Sequence, residues 1–156
     1  MTSHAERTTD DRARFRFKTS SRVMMSHTDQ EGIVNNISFF IYLEAGRFEY
    51  FRSLGLTLSD IKKQGTGMAM VESCCSFLSP LFFDDVIEIF ARIAHFGRSS
   101  FRMEYLIFVP ERNVVSARGY TVTVFVDPAT RKAQPMPVSF RDRVIAFEGD
   151  GTIITN

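Results

Sequence analysis

At 156 residues the chain is sized for one domain with a substantial core. Hydrophobic residues make up 44%, which argues against a disordered or membrane class, and no stretch approaches the roughly 20 apolar residues of a bilayer span. Lys+Arg 19 against Asp+Glu 18 leaves a net charge of +1. That balance lacks the basic excess of a nucleic-acid binder, though it leaves room for a local basic patch facing a phosphorylated ligand.

Residues 1–14 are polar and include acidic groups. With no apolar run they do not read as a secretory signal, and they are expected to form a flexible tail before a domain over 15–147, with a second tail over 148–156. Phe15–Met25 reads as a strand from the partial period-two spacing of Phe15, Phe17 and Val23. A polar turn follows over Ser26–Gly32. Ile37–Leu54 is the strongest helix: at 100° per residue Ile37, Phe40, Ile41, Phe48 and Phe51 form a stripe expected to be buried. Asn35 or Asn36 supplies an N-cap and Gly55 a stop. Gly46 inside this helix costs about 1 kcal/mol relative to Ala; it either permits close approach of another backbone or is tolerated. A short helix is expected over Leu58–Gln64.

Strands are then predicted over Met68–Leu78, Asp85–His95, Ser99–Val109 and Val114–Val126. They are separated by Ser79-Pro80, Gly97, the Pro110–Asn113 loop and Asp127-Pro128. A tail over Pro135–Phe147 contains a short helix from Val138. Cys74 and Cys75, the only cysteines, would face opposite sides of their strand, which disfavours a shared metal or a mutual disulfide. They read as two reduced thiols in a cytoplasmic protein. The chain has 16 Phe and no Trp, a composition suited to an aromatic core or, for some rings, the wall of an acyl pocket. One long helix packed on the concave face of five antiparallel strands is an α+β layer architecture.

The chemistry concentrates in His27-Thr28-Asp29-Gln30-Glu31-Gly32-Ile33-Val34-Asn35-Asn36. A carboxylate and a glycine turn stand just before a helix start, where unpaired N–H groups and the macrodipole can polarise a carbonyl. That pairing suits hydrolysis of an activated acyl group. No Gly-x-Ser-x-Gly elbow, P-loop, dinucleotide fingerprint or zinc spacing competes with it.

The segment Asp29 to Asn36 is similar to the Asp-x-x-Gly-hydrophobic-Val pattern of hotdog-fold thioesterases of the 4-hydroxybenzoyl-CoA thioesterase-like family. Tyr42-Leu43-Glu44-Ala45-Gly46-Arg47-Phe48-Glu49 resembles that family's aromatic-x-Glu-x-x-Arg-x-Glu helix, ungapped from the first motif, and Leu78–Asp85 resembles its Pro-containing turn. The likeness runs from about Phe15 to Phe125. It implies a hotdog fold, with a five-stranded antiparallel sheet wrapped around one long central helix. It also implies a homodimer, often assembled into a homotetramer, with active sites at the interface, and acyl-CoA or acyl carrier protein as the substrate class. No metal or redox cofactor is implied, and neither a nucleic-acid nor a membrane partner.

By the same resemblance Asp29 falls on the catalytic carboxylate and the backbone N–H near Asn36 on the group that polarises the thioester. Gly32, Ile33, Val34 and Asn35 would line the substrate. Glu44, which the helical wheel puts inside the apolar stripe between Ile41 and Phe48 and so in a buried position, is either a secondary catalytic or water-orienting group or a structural partner of Arg47 at i+3 or of a strand N–H. Arg47 is either a substrate contact or half of a salt bridge. Arg98 and Ser99, at a strand turn, either meet CoA phosphates or form an exposed hairpin. His27, two residues before Asp29, invites a dyad that the family pattern does not require. The competing class is a non-catalytic acyl-CoA-binding module that kept the fold.

Overall fold

In the computed structural model, residues 11–149 are described, together with the backbone of 154–155. The element order is β1 (Phe17–Arg22), a 3-10 turn (Met25–His27), α1 (Asn36–Ser53), α2 (Leu58–Lys63), β2 (Gly67–Phe77), β3 (Val86–Phe96), β4 (Ser100–Val109), β5 (Val114–Val126), α3 (Val138–Glu148) and β6 (Ile154–Thr155). The strands lie in the order β1-β3-β4-β5-β2, all antiparallel. β6 adds a short parallel pairing to His95 and Phe96 at the end of β3. This is the expected hotdog architecture, and α1 runs along its concave face.

The predicted helix is present and Phe51 of the expected stripe is buried, but over its N-terminal half the buried face is a different one. Ile37 is 70% exposed and Ile41 48%, whereas Phe39, Tyr42, Leu43, Gly46, Tyr50 and Phe51 are buried. The N-terminal half of α1 is apolar on two faces, so periodicity alone cannot say which one meets the sheet. Gly46 decides it. A β-carbon at 46 would lie 2.6 Å from Ile89 Cγ2, so the helix seats against β3 only where it lacks a side chain. The two tyrosines on the buried face add ring area, and each hydroxyl finds a partner: Tyr42 bonds the His27 ring and Tyr50 donates to Glu148.

At the far end of the helix, Phe51, Phe101, Phe125 and Phe140 pack with ring centroids 5.0–6.0 Å apart. α3 thereby closes the core. Its Glu148 is buried, accepting from Tyr50 Oη at 2.7 Å and from the Ile93 N–H at 3.3 Å. α2 is held by a capping box between Thr57 and Asp60.

Part of the expected N-terminal tail, residues 1–10, lies outside the described residues. Residues 11–14 pack on the convex face of the sheet. There Arg12 stacks over Phe108 at 3.9 Å, Asp11 pairs with Arg118, and Arg14 meets Glu104 at 3.3 Å. Cys74 lines a groove on that face, Cys75 packs against the core, and both thiols are free. Among the described residues no helix is long and apolar enough to cross a membrane, and no cluster of His, Cys, Asp or Glu could hold a metal.

Candidate active site

The polar segment between β1 and α1 is folded by its own short-range chemistry. Asp29 closes a turn in which its N–H donates to the Ile33 carbonyl at 2.8 Å, while its Oδ1 accepts from the Glu31 N–H at 2.8 Å and the Ile33 N–H at 3.4 Å. Gly32 takes φ +77°, the left-handed conformation that favours glycine. The segment is pinned to the sheet by the Val34 N–H on the Leu81 carbonyl at 2.9 Å and by the Ile33–Phe82 bridge. Asp29 therefore plays the turn role with one carboxylate oxygen. The residue is exposed, and its other oxygen, Oδ2, has no hydrogen-bond partner among the described residues.

The next residues start the helix. Asn35 is the N-cap: its Oδ1 accepts from the Ser38 N–H at 2.9 Å. Asn36 is therefore the first helical residue, and its N–H has no intrahelical acceptor. Asn35 also ties the helix start to the preceding turn, since its backbone N–H and its Nδ2 both donate to the His27 carbonyl, at 3.0 and 3.1 Å. The Asp29 turn and the helix N-terminus open onto one cleft of about 440 Å³, walled by Val34, Phe39, Phe77, Leu78 and Pro80. It is a mostly apolar concavity with a carboxylate and a helix N-terminus at its mouth, a combination suited to holding an acyl group and stabilising charge on its carbonyl oxygen.

The structure thus brings together Asp29, Ile33, Val34, Asn35 and Asn36, with Gly32 shaping the turn behind them. It does not bring Arg98 or Ser99 there within one chain. They occupy the β3–β4 turn, where their carbonyls accept from Met136 and Phe125, at the opposite end of β3 from the Ile33–Phe82 bridge. Glu44 is not in the buried stripe assigned to it. Its side chain is 62% exposed and pairs with Arg47 at 3.6 Å, the i+3 partnership expected of a structural role. A His27–Asp29 dyad is not formed: the 3-10 turn swings the His27 ring onto α1, where Nδ1 hydrogen-bonds Tyr42 Oη at 2.8 Å. Burial pushes the Tyr42 phenol up to about 12, so it stays protonated at neutral pH. Sequence reasoning missed this pairing, and it also missed Phe77 and Leu78 as walls of the cleft. The adjacent aromatic and Pro-containing turn was the available signal for the walls.

A long helix cradled by an antiparallel sheet, with a carboxylate turn at the helix N-terminus, defines a hotdog-fold thioester hydrolase. The thioesterase-like superfamily matches residues 23–144, and the chain belongs to it. Among its relatives is the chloroplastic acyl-acyl carrier protein thioesterase ATL3 of Arabidopsis thaliana. It is 30% identical over 121 residues, covering 76% of this chain and 62% of the plant protein. A 1,4-dihydroxy-2-naphthoyl-CoA hydrolase of Microcystis aeruginosa is 26% identical over 125 residues, covering 76% of this chain and 86% of its own. A solved structure of a hypothetical protein from Aquifex aeolicus superposes with a TM-score of 0.75 at 27% identity, covering 82% of this chain and 98% of that one.

Proposed function

We propose that this thioesterase cleaves an acyl-CoA, with Asp29 as base or nucleophile and the Asn36 N–H as the group that polarises the thioester carbonyl. The observation that carries the reading is the division of labour at Asp29: Oδ1 is spent on the turn, while Oδ2 has no hydrogen-bond partner among the described residues and Asp29 lines the same cleft as the helix N-terminus. As a base, Oδ2 takes a proton from water as the water oxygen bonds to the carbonyl carbon. The oxyanion that develops is held by the Asn36 N–H and the helix dipole. When the tetrahedral species collapses, the C–S bond breaks and the thiolate leaves, taking up the proton. As a nucleophile, the same oxygen bonds the carbonyl carbon directly, expels the thiolate, and is freed when water hydrolyses the resulting anhydride. Thiolate is a good leaving group, so one carboxylate suffices and neither metal nor redox cofactor is needed.

A homodimer fits the reading. β2 is an edge strand whose outer side is unpaired among the described residues. Along β2 and just past its end Met70, Val71, Phe77 and Leu78 are between 44% and 62% exposed, and Ile37, Phe40 and Ile41 of α1 add to the exposed apolar surface. Exposed apolar area of this kind and an unpaired strand edge both call for a partner, and a second copy supplies each. The relative named as a hydrolase of 1,4-dihydroxy-2-naphthoyl-CoA supports the CoA ester. The plant relative, named for acyl carrier protein substrates, supports a second reading in which the same machinery acts on a carrier-bound acyl chain.

The test is release of free thiol from a panel of short, long, branched and aromatic acyl-CoAs, with Asp29→Ala alongside. Asp29-dependent release supports the reading. Binding of acyl-CoA with no release by any ester or carrier substrate would point instead to a non-catalytic binding module.

A further inference from the structure

A second cleft, of about 210 Å³, opens between α1 and the β2–β5 edge, lined by Arg47, Phe48, Phe51, Met68, Met70 and Thr123. Its walls are mostly apolar, and two polar side chains, Arg47 and Thr123, complete them. The Arg47 side chain is only 12% exposed. Its guanidinium offers five N–H donors, and its neighbours leave some of them unused: the Met70 thioether at 4.0 Å, a weak acceptor; the Tyr105 hydroxyl, shared with Thr121 at 3.0 Å; the Phe48 ring at 5.2 Å; and the Glu44 carboxylate at 3.6 Å, itself mostly in water. Thr123 is 4% exposed, and its hydroxyl is buried without a hydrogen-bond partner among the described residues. Buried donors are normally satisfied, so an unpartnered hydroxyl and a guanidinium with donors to spare, lining one cavity, mark a place for an acceptor that arrives from outside.

The cleft is in line with the proposed reaction centre. Asn36, Phe40, Glu44 and Arg47 succeed one another along one side of α1. Arg47 follows Asn36 by roughly 16 Å of helix axis, and its side chain leans back towards the helix N-terminus. A medium-length acyl chain spans that gap.

We propose that the Arg47–Thr123 cleft is the subsite for the far end of the acyl chain, and that it selects chains ending in a hydrogen-bond-accepting oxygen, a carboxylate first of all. This rests on the thioesterase reading of the Asp29 site. The guanidinium fork matches a carboxylate, Glu44 is free to swing into water as the ligand arrives, and the Thr123 hydroxyl donates a further bond. Phe48, Met68 and Met70 cover the chain's methylenes. A methyl-ended chain fills the same space but offers neither group an acceptor: Arg47 keeps its Glu44, Tyr105 and Met70 contacts and the Thr123 hydroxyl gains none, which is where discrimination arises.

The experiment measures equilibrium binding of non-hydrolysable thioether analogues of acyl-CoA, in pairs of equal chain length ending in methyl or carboxylate, by calorimetry. Wild-type protein is compared with Arg47→Met and Thr123→Val. The wild type is expected to favour the carboxylate-ended member by about tenfold or more. The preference should collapse in Arg47→Met and shrink in Thr123→Val, a near-isosteric change that serves alone if the arginine variant does not fold. Equal affinities in the wild type, or a preference that neither variant moves, overturn the subsite and leave the hydrolase reading standing if CoA esters are still cleaved. Carboxylate-selective binding without turnover of any ester upholds the subsite and overturns the catalytic assignment instead. Failure to bind either analogue overturns the subsite.

Discussion

Tyr42 and His27 join the central helix to the Asp29 turn. The phenol oxygen lies 2.8 Å from the His27 Nδ1, and the same histidine's carbonyl receives two hydrogen bonds from Asn35 at the helix start. The turn that carries the carboxylate and the helix end that faces the substrate are thus held by one residue at both its ends. Tyr42→Phe keeps the ring and removes the bond. The expected result is a loss of about 1 kcal/mol in stability and a fall in kcat larger than any change in KM, since the turn loosens while the cleft walls remain. Chemical denaturation and steady-state kinetics check both parts. Unchanged kcat would mean that the turn is held by its other contacts.

Gly46 makes the sharper packing prediction. Intrinsic helix propensity alone would let Gly46→Ala stabilise the protein by about 1 kcal/mol. The contact with Ile89 Cγ2, at 2.6 Å from the added carbon, reverses the sign, because the neighbour is a fully buried β3 side chain that has nowhere to go. Overpacking of this kind costs about 1–3 kcal/mol. A urea midpoint higher than wild type would contradict the proposed seating of the helix.

Glu148 gives stability a pH dependence. Burial raises its carboxyl above the ordinary carboxylate range. The hydrogen bonds from Tyr50 and Ile93 and the charges of Arg92 and Arg16 oppose that rise without cancelling it. An acid whose folded pKa is raised contributes stability in full below its unfolded pKa and loses it as pH rises through the folded pKa. Wild-type stability relative to Glu148→Gln should therefore decline as pH is raised from the ordinary glutamate range, about 4, through neutral. Denaturation of the two proteins side by side across that range reads the difference directly. A difference that grows with pH would mean that the ionised carboxylate is the stabilised form.

The β2 edge predicts the assembly. Val71, at the bulge between Met70 and Glu72, is 62% exposed on the unpaired edge. Val71→Lys places a charge where a second strand would dock, a device that natural edge strands use to prevent pairing. Light scattering is expected to show a dimer for the wild type and a shift towards monomer for the variant, with little change in the far-ultraviolet dichroism. A monomeric wild type would contradict the edge-pairing reading.

How much of this was legible in the sequence depends on which kind of information carried each feature. Turn chemistry is local, so the turn at Asp29 and Gly32 could be read directly and the cap narrowed to Asn35 or Asn36, of which the structure selects Asn35. The β5 limits, Val114–Val126, are those expected, because both ends are marked by turn residues. The buried face of α1 could not be read that way. Ile37, Phe40 and Ile41 have the right spacing for a core stripe, and only contact with β3 shows that Gly46 and the tyrosines occupy it. Glu44 was misplaced by the same step: assigned to that stripe, it was expected to be buried, and it is in water. Arg98 and Ser99 are close to a turn in sequence but far from the cleft in space, a separation set by the length of β3. The Tyr42–His27 bond is a tertiary contact across 15 residues, invisible to a reading by motif.

The central claim is that the free oxygen of Asp29 performs the chemistry. Asp29→Asn keeps a side-chain acceptor for the Glu31 and Ile33 N–H groups, so the turn should survive and the melting temperature stay near wild type. The measurement is thiol release from the best acyl-CoA substrate by wild type and Asp29→Asn under single-turnover conditions. The account predicts a rate lowered by about 10²-fold or more with the protein folded. A folded variant that turns over near the wild-type rate would contradict it.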